Sequence, residues 1–273
     1  MRCVCLTEWS FQDDGAEMKV TVLGCGSSGG LPLIGNDWGK CDPGNEKNRR
    51  TRASILIEQD DTVLLVDTSP DLREQLLREN VQKLTAVLYT HAHADHCHGI
   101  DDLRSMNWRM KSPIDIFGDA PTIEKLTTRF DYIFSDRTEG SQFYKPNLTP
   151  HIIRAGEHLH FGSLTVVPFD QDHTYINTLG FRVGNFAYTT DAKRLDEEAF
   201  KALEGIEMWI VDCVSKNPHP THSHLEQTLE WIERVKPKKA YLTHMGQGLD
   251  YETICGELPE HIRPAYDGLQ IEL

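Results

Sequence analysis

The sequence lacks the features of a membrane or secreted protein. It has no run of 18 or more apolar residues, and residues 1–17 contain neither an apolar segment nor a small-residue cleavage site of the signal-peptide kind. Its seven cysteines are odd in number and include no C-x-x-C pair, which disfavours a disulfide framework and a zinc ribbon. We therefore expect a soluble, cytoplasmic protein without membrane association.

Basic residues are also few. The chain has 28 lysines and arginines against 42 acidic residues, a formal net charge of -14. This charge repels a nucleic-acid backbone unless basic residues are segregated into a patch, and only residues 47–52 (KNRRTR) resemble one. We expect no long nucleic acid as a partner.

The sequence contains no nucleotide-binding or serine-hydrolase signature with the neighbouring residues that such a site requires. Neither a Walker A nor a G-x-S-x-G pattern occurs. Residues 24–29 (GCGSSG) match G-x-G-x-x-G, but Pro32, Gly35 and Gly39 follow, so the helix that a dinucleotide site requires cannot form. The segment is expected to make a tight turn beside the functional site.

The hydrophobic pattern predicts an α/β protein, because short β-rich runs alternate with amphipathic helical runs from residue 18 onward. Residues 1–17 show neither pattern and are expected to be a disordered extension before a single catalytic domain at 18–273. Predicted strands are 19–24, 53–58, 62–67, 85–90, 114–118, 163–169, 179–183, 186–190, 208–213, 239–243 and 269–272. Predicted helices are 70–80, 121–132, 196–203 and 225–235.

Two pairs of segments are similar within the chain. LLVDTSPD (64–71) is echoed by AYTTDAKR (187–194), and LYTHAHAD (88–95) by YLTHMGQ (241–247). The repetition predicts two similar β-rich halves packed face to face, with polar side chains from their strand ends meeting on one rim.

Four of the 13 histidines lie within residues 91–98 (HAHADHCH), after a predicted strand. In an extended loop, His91 and His93 would face one cation while Asp95 and His96 turn to a second. Imidazole and carboxylate together suit zinc, manganese or iron(II) rather than calcium. Two metal sites need more ligands, and later strand ends offer three: His173, Asp191 and His244.

The pattern H-x-H-x-D-H at 91–96, followed by His173, Asp191 and Thr-His at 243–244, resembles the metallo-β-lactamase superfamily of binuclear hydrolases. Residues 23–32 (LGCGSSGGLP), 48–54 (NRRTRAS) and 221–225 (THSHL) resemble its PhnP-like phosphodiesterases of the carbon-phosphorus lyase pathway. The similarity runs from about residue 18 to the end. It implies an αββα sandwich of two mixed β-sheets face to face, with helices outside.

The resemblance also implies roles for individual residues. One metal would be held by His91, His93 and His173, the second by Asp95, His96 and His244, and Asp191 would bridge them. His222 stands where the family keeps a non-ligand histidine that could donate a proton to the leaving oxygen. His222, Asp95 and Asp191 are therefore the expected catalytic residues. His224, at the start of the helix that follows, stays open as an alternative proton donor, and His98 is a less favoured alternative to His96.

The expected cofactors are two divalent ions, Zn²⁺ or Mn²⁺. Relatives often carry a cysteine cluster for a further structural zinc, but here that stretch keeps only Cys41, and the histidine that would complete the site is Gln247. We therefore expect no structural zinc.

The resemblance to PhnP-like proteins implies a metal-dependent phosphodiesterase. Hydroxide shared by the two ions would attack a phosphodiester in a small phosphorylated molecule, a cyclic ribose phosphate or a nucleotide. Mononucleotides should bind as product-like ligands. The alternatives are hydrolysis of a lactone, a thioester or a tRNA 3′ end on the same fold, or a relative that binds metal or ligand without turnover. Oligomeric state is open, with a homodimer as one option.

Overall fold

A computed structural model describes residues 17–135 and 145–273, which form two seven-stranded mixed β-sheets. Strands are numbered in chain order. In spatial order, the first sheet contains β14 (Gln270–Glu272), β1 (Lys19–Gly24), β2 (Ser54–Gln59), β3 (Thr62–Val66), β4 (Ala86–Leu88), β5 (Ile114–Gly118) and β6 (Leu148–Ile152). The second contains β13 (Ile262–Pro264), β12 (Lys239–Thr243), β11 (Met208–Asp212), β10 (Phe186–Tyr188), β9 (Asn177–Val183), β8 (Leu164–Asp172) and β7 (Leu159–Phe161).

Helices lie in the connections between these strands. They are α1 (Leu72–Arg78), α2 (Ala94–Cys97), α3 (Leu103–Met110), α4 (Ala120–Arg129), α5 (Asp131–Phe134), α6 (Glu197–Ala202), α7 (Leu225–Val235) and α8 (Tyr251–Glu257), with 3-10 turns at Glu46–Asn48 and Ile100–Asp102. Among the described residues, no helix is both long and apolar enough to cross a lipid bilayer.

The layers follow from the two-residue period of the strands. In β2, Ile55 and Ile57 belong to a core that also contains Phe181 of β9 in the opposite sheet. Leu56, between them in sequence, belongs to a second core with Leu76 of α1. Since successive side chains of a strand point to opposite faces, β2 separates an inter-sheet core from a helix-covered one. The predicted αββα sandwich is confirmed.

Each sheet is built almost entirely from one half of the chain. Strands β1 to β6 form the first sheet with β14, and β7 to β13 form the second. β14 returns to pair antiparallel with β1, with Ile271 opposite Val20. The prediction of two similar β-rich halves is therefore confirmed, apart from this last strand.

Several elements differ from the prediction. The strands β6, β7 and β13 and the helices α2, α3 and α8 were absent from it. β6 contains Pro150 and lies at a sheet edge, while β7 and β13 have three residues each, so their patterns are weak. The single helix predicted at 121–132 is broken at Phe130, where φ is -115°, into α4 and α5. Of the extension predicted at 1–17, residues 1–16 lie outside the described residues.

Candidate metal centre

Three of the predicted ligands follow strands that have parallel neighbours within their own sheet. β3 and β4 are parallel in the first sheet, and β10, β11 and β12 are parallel in the second. The carboxyl ends of parallel strands meet at one edge of a sheet. His91 follows β4, Asp191 follows β10 and His244 follows β12, so the fold delivers them to a common rim.

Backbone conformation sharpens the turn at three of these strand ends. Asp67 (φ 64°), Asp191 (φ 55°) and His244 (φ 56°) all lie in the left-handed region, which residues with a Cβ seldom occupy. Such conformations concentrate at functional sites, where the surrounding structure enforces them. Asp67 and His244 directly follow β3 and β12, and Asp191 lies three residues after the end of β10.

Four side chains form a first group. The ligand-type atoms of His91, His93, His173 and Asp191 lie within 4.8 Å of one another. Asp191 Oδ1 is 3.8 Å from Nε2 of His91 and 3.8 Å from Nε2 of His173. One oxygen of Asp191 therefore faces the group that the sequence assigned to the first metal.

A second group shares the same aspartate. The ligand-type atoms of Asp95, His96, Asp191 and His244 also lie within 4.8 Å of one another. Asp191 Oδ2 is 3.0 Å from His96 Nε2 and 3.5 Å from His244 Nε2. The two oxygens of Asp191 thus face two different sets of imidazoles, which is the arrangement of a bridging carboxylate.

The polar atoms of these groups fit a divalent cation. The Nε2 atom of His91 is buried and makes no hydrogen bond, since Asp191 Oδ1 is 3.8 Å away. A buried polar atom without a partner is costly, and a bound metal would remove that cost. Imidazole with carboxylate is a donor set for first-row divalent ions.

Electrostatic interactions shift the pKa values of the ligand residues in opposite directions: Asp191, Asp95 and Asp67 outweigh burial and raise the pKa of His96 well above its ordinary value. Burial is the main cause that holds the pKa of His91 well below its ordinary value, with His96 adding to it, so His91 is neutral as a metal ligand must be. Burial opposes the charge on Asp191, yet His244 and His96 hold the pKa of its carboxyl well below the usual range. Asp191 is therefore ionised.

Outward hydrogen bonds fix the orientation of three imidazoles. In each, Nδ1 contacts an oxygen outside the centre, so Nε2 is directed inward. The pairs are His91 Nδ1 with Thr90 Oγ1 (3.0 Å), His96 Nδ1 with Asp67 Oδ2 (2.7 Å) and His173 Nδ1 with the Thr221 carbonyl oxygen (2.7 Å).

Asp67 makes the strongest of these supports. It is fully buried and also accepts hydrogen bonds from the Thr90 backbone N–H and hydroxyl, each at 2.8 Å. We expect Asp67→Asn to weaken binding of zinc at the His96 site about 10- to 100-fold, because the amide no longer holds the His96 ring as an Nδ1–H donor. Titration of the metal-free protein against a competing chelator measures this.

The surface pair Asp115–His151 supplies a matched control. Asp115 Oδ1 lies 2.9 Å from His151 Nε2 at an exposed position of β5, so it is an Asp–His contact away from the centre. Asp115→Asn should leave zinc affinity unchanged. Equal affinities for wild type and Asp67→Asn would contradict the orienting role of Asp67.

His222 lies outside the two groups that share Asp191, but its ligand-type atom lies within 4.8 Å of those of Asp212 and His244, which form a third possible cation group with it. Its Nε2 is 3.8 Å from Asp191 Oδ1, and its Nδ1 is 3.5 Å from Oδ2 of the buried Asp212 at the end of β11. Burial lowers the pKa of His222, but Asp212 and Asp191 outweigh it and raise the pKa to about 9. A protonated imidazole thus stands at the edge of the centre.

A cleft of 320 Å³ opens onto these residues. Most of its lining residues are of polar types, and they include one aliphatic side chain, Ile176. The lining residues are Ser28, His93, Asp95, His173, Tyr175, Ile176, Asp191, His219, Thr221, His222 and His244. His224, the N-cap of α7, does not line the cleft, and the exposed His98 packs its ring edge against Phe130 instead. The geometry therefore favours His222 over His224 and His96 over His98.

The glycine-rich segment after β1 turns beside the centre, as its sequence predicts. The Ser27 backbone N–H donates to the Met245 carbonyl at 3.2 Å, next to His244, and Ser28 reaches the cleft. No helix follows within residues 31–45. A Cβ at Gly24 would lie 2.1 Å from the Arg52 carbonyl oxygen, so only glycine fits where the two segments touch.

Two expectations need correction or extension. Asp95 and His96 do not lie in an extended loop: His93 is extended, but α2 begins at Ala94, and this helical turn brings Asp95 and His96 to the second group. Sequence reasoning also missed Asp67 and Asp212, although each directly ends an apolar strand, as in LLVD and IVD.

The region expected to lack a structural zinc places Cys41 against Gln247. The Cys41 thiol donates to the Gln247 carbonyl oxygen at 3.5 Å. Burial raises the pKa of this thiol, while Arg50 opposes the shift. The expected absence of a zinc here stays a prediction.

The chain is similar to proteins of known family. The profile of a family described as "Beta-lactamase superfamily domain" matches residues 62–245, a range that contains every predicted metal ligand. A solved structure described as a new diphosphatase from the PhnP family is 32% identical, with a TM-score of 0.86, and the match covers 94% of this chain and 98% of that one.

Two further relatives are more distant. An octanoyltransferase of Porphyromonas gingivalis is 29% identical over 256 residues, which cover 93% of this chain and 51% of that protein. The chain thus spans about half the length of this relative. The anti-Pycsar protein Apyc1 of Paenibacillus harenae is 26% identical over 213 residues, 72% of this chain and 84% of that protein.

Proposed function

Because this chain belongs to the metallo-β-lactamase superfamily of hydrolases, we propose that it hydrolyses phosphodiester bonds in small phosphorylated molecules, namely cyclic ribose phosphates or nucleotides. The observation that carries the proposal is the position of Asp191, whose Oδ1 faces His91 and His173 while its Oδ2 faces His96 and His244. One carboxylate between two sets of imidazoles supports a pair of divalent cations.

The proposed cofactors are two Zn²⁺ or Mn²⁺ ions. His91, His93 and His173 would hold one, Asp95, His96 and His244 the other, and Asp191 both. Such a pair, when bound, activates water for attack and offsets the negative charge that grows on a phosphoryl group.

The role proposed for His222 is to hold and transfer a proton at Nε2. Asp212 lies 3.5 Å from the opposite ring nitrogen, Nδ1, and favours the charged ring. The leaving oxygen of a phosphodiester gains negative charge as its bond to phosphorus breaks, so a proton delivered from Nε2 would stabilise the departing alkoxide. Asp212 acts in this scheme only by positioning His222.

Acyl transfer is the competing proposal, because one relative is described as an octanoyltransferase. An eight-carbon acyl chain needs an apolar surface, whereas this cleft offers Ile176 as its single aliphatic side chain among histidines, aspartates and hydroxyls. The histidine, aspartate and hydroxyl residues that line the cleft support a phosphorylated substrate instead. The diphosphatase relative adds a phosphoanhydride as a further bond to compare with the phosphodiester.

Turnover of bis(p-nitrophenyl) phosphate by the manganese- or zinc-loaded protein tests the proposal. We expect hydrolysis above background, and His93→Ala should lower the rate about 10- to 100-fold, because this exposed ligand supports one of the two ions. His261→Ala is the matched control, because His261 is exposed and does not line the cleft. Its rate should match that of wild type.

Two different results would contradict the proposal, one about turnover and one about the bond that is cleaved. Background rates for wild type and His93→Ala alike would remove the enzyme hypothesis. A panel of cyclic nucleotides, sugar phosphates, nucleoside diphosphates, a lactone and an octanoyl thioester then compares the bonds. Preference for the thioester, the lactone or the diphosphate would contradict the phosphodiesterase proposal and retain the fold.

A further inference from the structure

Tyr175 is an exposed aromatic residue at the entrance of the cleft. Its exposure is 85%, which is unusual for a ring of this size. Other exposed large hydrophobic side chains in the described residues are Ile34, Leu77, Trp108, Tyr132 and Ile152, and none of them lines the cleft. Of these exposed side chains, Tyr175 alone lies at the candidate site.

The backbone around Tyr175 is held firmly. Tyr175 lies in the four-residue connection between β8 and β9, two residues after the predicted ligand His173. The Tyr175 backbone N–H donates to the His173 carbonyl at 2.9 Å, and the His173 backbone N–H donates to the Ile176 carbonyl at 3.0 Å. The ring is thus presented from a tight turn that one metal ligand shares.

Thr174 ties this turn to the opposite wall. Its hydroxyl donates to the Pro220 carbonyl at 3.0 Å, and its backbone N–H donates to Asp172 Oδ1 at 2.6 Å. Thr174 has φ of 73°, a conformation that a β-branched residue adopts only when its surroundings enforce it. The surroundings include Thr221, whose carbonyl oxygen holds His173 Nδ1 at 2.7 Å. The turn that carries Tyr175 and the loop that carries His222 are therefore held together by hydrogen bonds.

Position decides which part of a substrate the ring meets. The imidazoles and carboxylates occupy the floor of the cleft, where a phosphoryl group would lie. Tyr175 stands at the rim, so it contacts the portion of the molecule that extends beyond the phosphate. A flat, exposed ring gains most from another flat ring, because aromatic side chains stack on nucleobases of any sequence.

We propose that Tyr175 is the platform on which the base of a nucleotide stacks, so that the substrates of this site are nucleoside phosphates rather than base-free sugar phosphates. The inference rests on the function proposed for the phosphoryl site. It adds the identity of the group that extends beyond the phosphate, namely a base. Tyr175 is a specificity-determining residue in this account and takes no part in bond cleavage.

Calorimetric binding of two probes to the zinc-loaded protein tests the inference without turnover. Adenosine 5′-monophosphate carries a base, and ribose 5-phosphate has the same phosphorylated sugar without one. We expect Tyr175→Ala to weaken binding of the nucleotide about tenfold or more and to leave ribose 5-phosphate unchanged. Tyr175→Phe keeps the ring and should bind both probes like wild type.

Two further measurements make the result specific. In proton NMR, the base protons of the nucleotide should shift upfield on wild type and on Tyr175→Phe, and not on Tyr175→Ala. Tyr132→Ala is the matched control, since Tyr132 is 44% exposed on α5 and does not line the cleft. It should change neither affinity nor shift.

The outcomes separate this inference from the proposed function. An equal loss of affinity for both probes in Tyr175→Ala would show that the ring does not act on the base, and would overturn the inference. A loss of nucleotide affinity in Tyr175→Phe as large as that in Tyr175→Ala would replace stacking with a contact of the hydroxyl, and would also overturn it. Wild type that binds the nucleotide no better than ribose 5-phosphate would also overturn it, even where bis(p-nitrophenyl) phosphate is hydrolysed. Tyr175-dependent nucleotide binding without any hydrolysis would support the inference and contradict the proposed function.

Discussion

Asp191→Asn should reduce phosphodiester hydrolysis roughly 10⁴-fold, because several kcal/mol of barrier lowering by the two cations is lost at about 1.4 kcal/mol per tenfold in rate. The asparagine side chain has nearly the same shape as aspartate, but it offers one oxygen and no negative charge. Its amide cannot face both His91 and His96 with an anionic oxygen, as Asp191 does. Steady-state rates on an activated phosphodiester, measured over a range of manganese concentrations, give the result.

The pattern of the loss distinguishes a bridging residue from an ordinary ligand. We expect that excess metal does not restore the rate of Asp191→Asn, since the shared ligand of both ions is missing. Asp61→Asn removes the same charge from a fully exposed position, where Asp61 pairs with Lys83 at 2.6 Å, and should behave like wild type. Activity of Asp191→Asn within tenfold of wild type would contradict a bridging role for Asp191.

His222→Gln should lower the rate about 10²- to 10⁴-fold on a substrate with an alkyl leaving group, the range that general acid catalysis contributes. Glutamine retains a hydrogen-bonding group of similar length but carries no transferable proton. A p-nitrophenolate leaves without protonation, so the same variant should lose much less on bis(p-nitrophenyl) phosphate. The comparison of the two substrates identifies proton donation, because a structural defect would lower both rates equally.

Neighbouring histidines provide the controls for this result. His219 lines the same cleft with its ring 5.1 Å from that of His222, and His224 caps α7 outside the cleft. His219→Gln and His224→Gln should not show the dependence on the leaving group. If His224→Gln showed it and His222→Gln did not, the proton donor would be His224. Metal content of His222→Gln should equal that of wild type, since His222 belongs to neither of the two groups that share Asp191.

The ligand cluster could be predicted because most of its information is local. His91, His93, Asp95 and His96 lie within six consecutive residues, and their residue types alone indicate a cation site. The backbone conformation of this segment was harder to predict from the sequence. The helix α2, which orients Asp95 and His96, has four residues, too few for a helical period to be visible.

The carboxylates that support a histidine across a long sequence separation could not be predicted. Asp67 contacts His96 over 29 positions, and a lone aspartate after a strand is common enough to pass as a surface residue. Asp212 likewise shows its role only when β11 and the loop of His222 are placed together. Such carboxylates are recognised by what they touch, which is a property of the tertiary structure.

The fold was predictable where apolar alternation is long and regular. β1 and β12 begin and end where the sequence predicts, and α7 matches the predicted range 225–235. The three-residue strands β7 and β13 fall below the length at which alternation is informative. Their places in the second sheet come from pairing with β8 and β12, which supplies the backbone hydrogen bonds that short segments cannot make alone.

The central claim is that Asp191 joins two cation sites in one centre. A crystal of zinc-loaded protein, with anomalous scattering recorded at the zinc absorption edge, tests it most directly. The account predicts two peaks roughly 3.5 to 4 Å apart, one on the side of His91 and His173 and one on the side of His96 and His244, with Asp191 in contact with both. A single peak, or two peaks with Asp191 bound to neither, would contradict it.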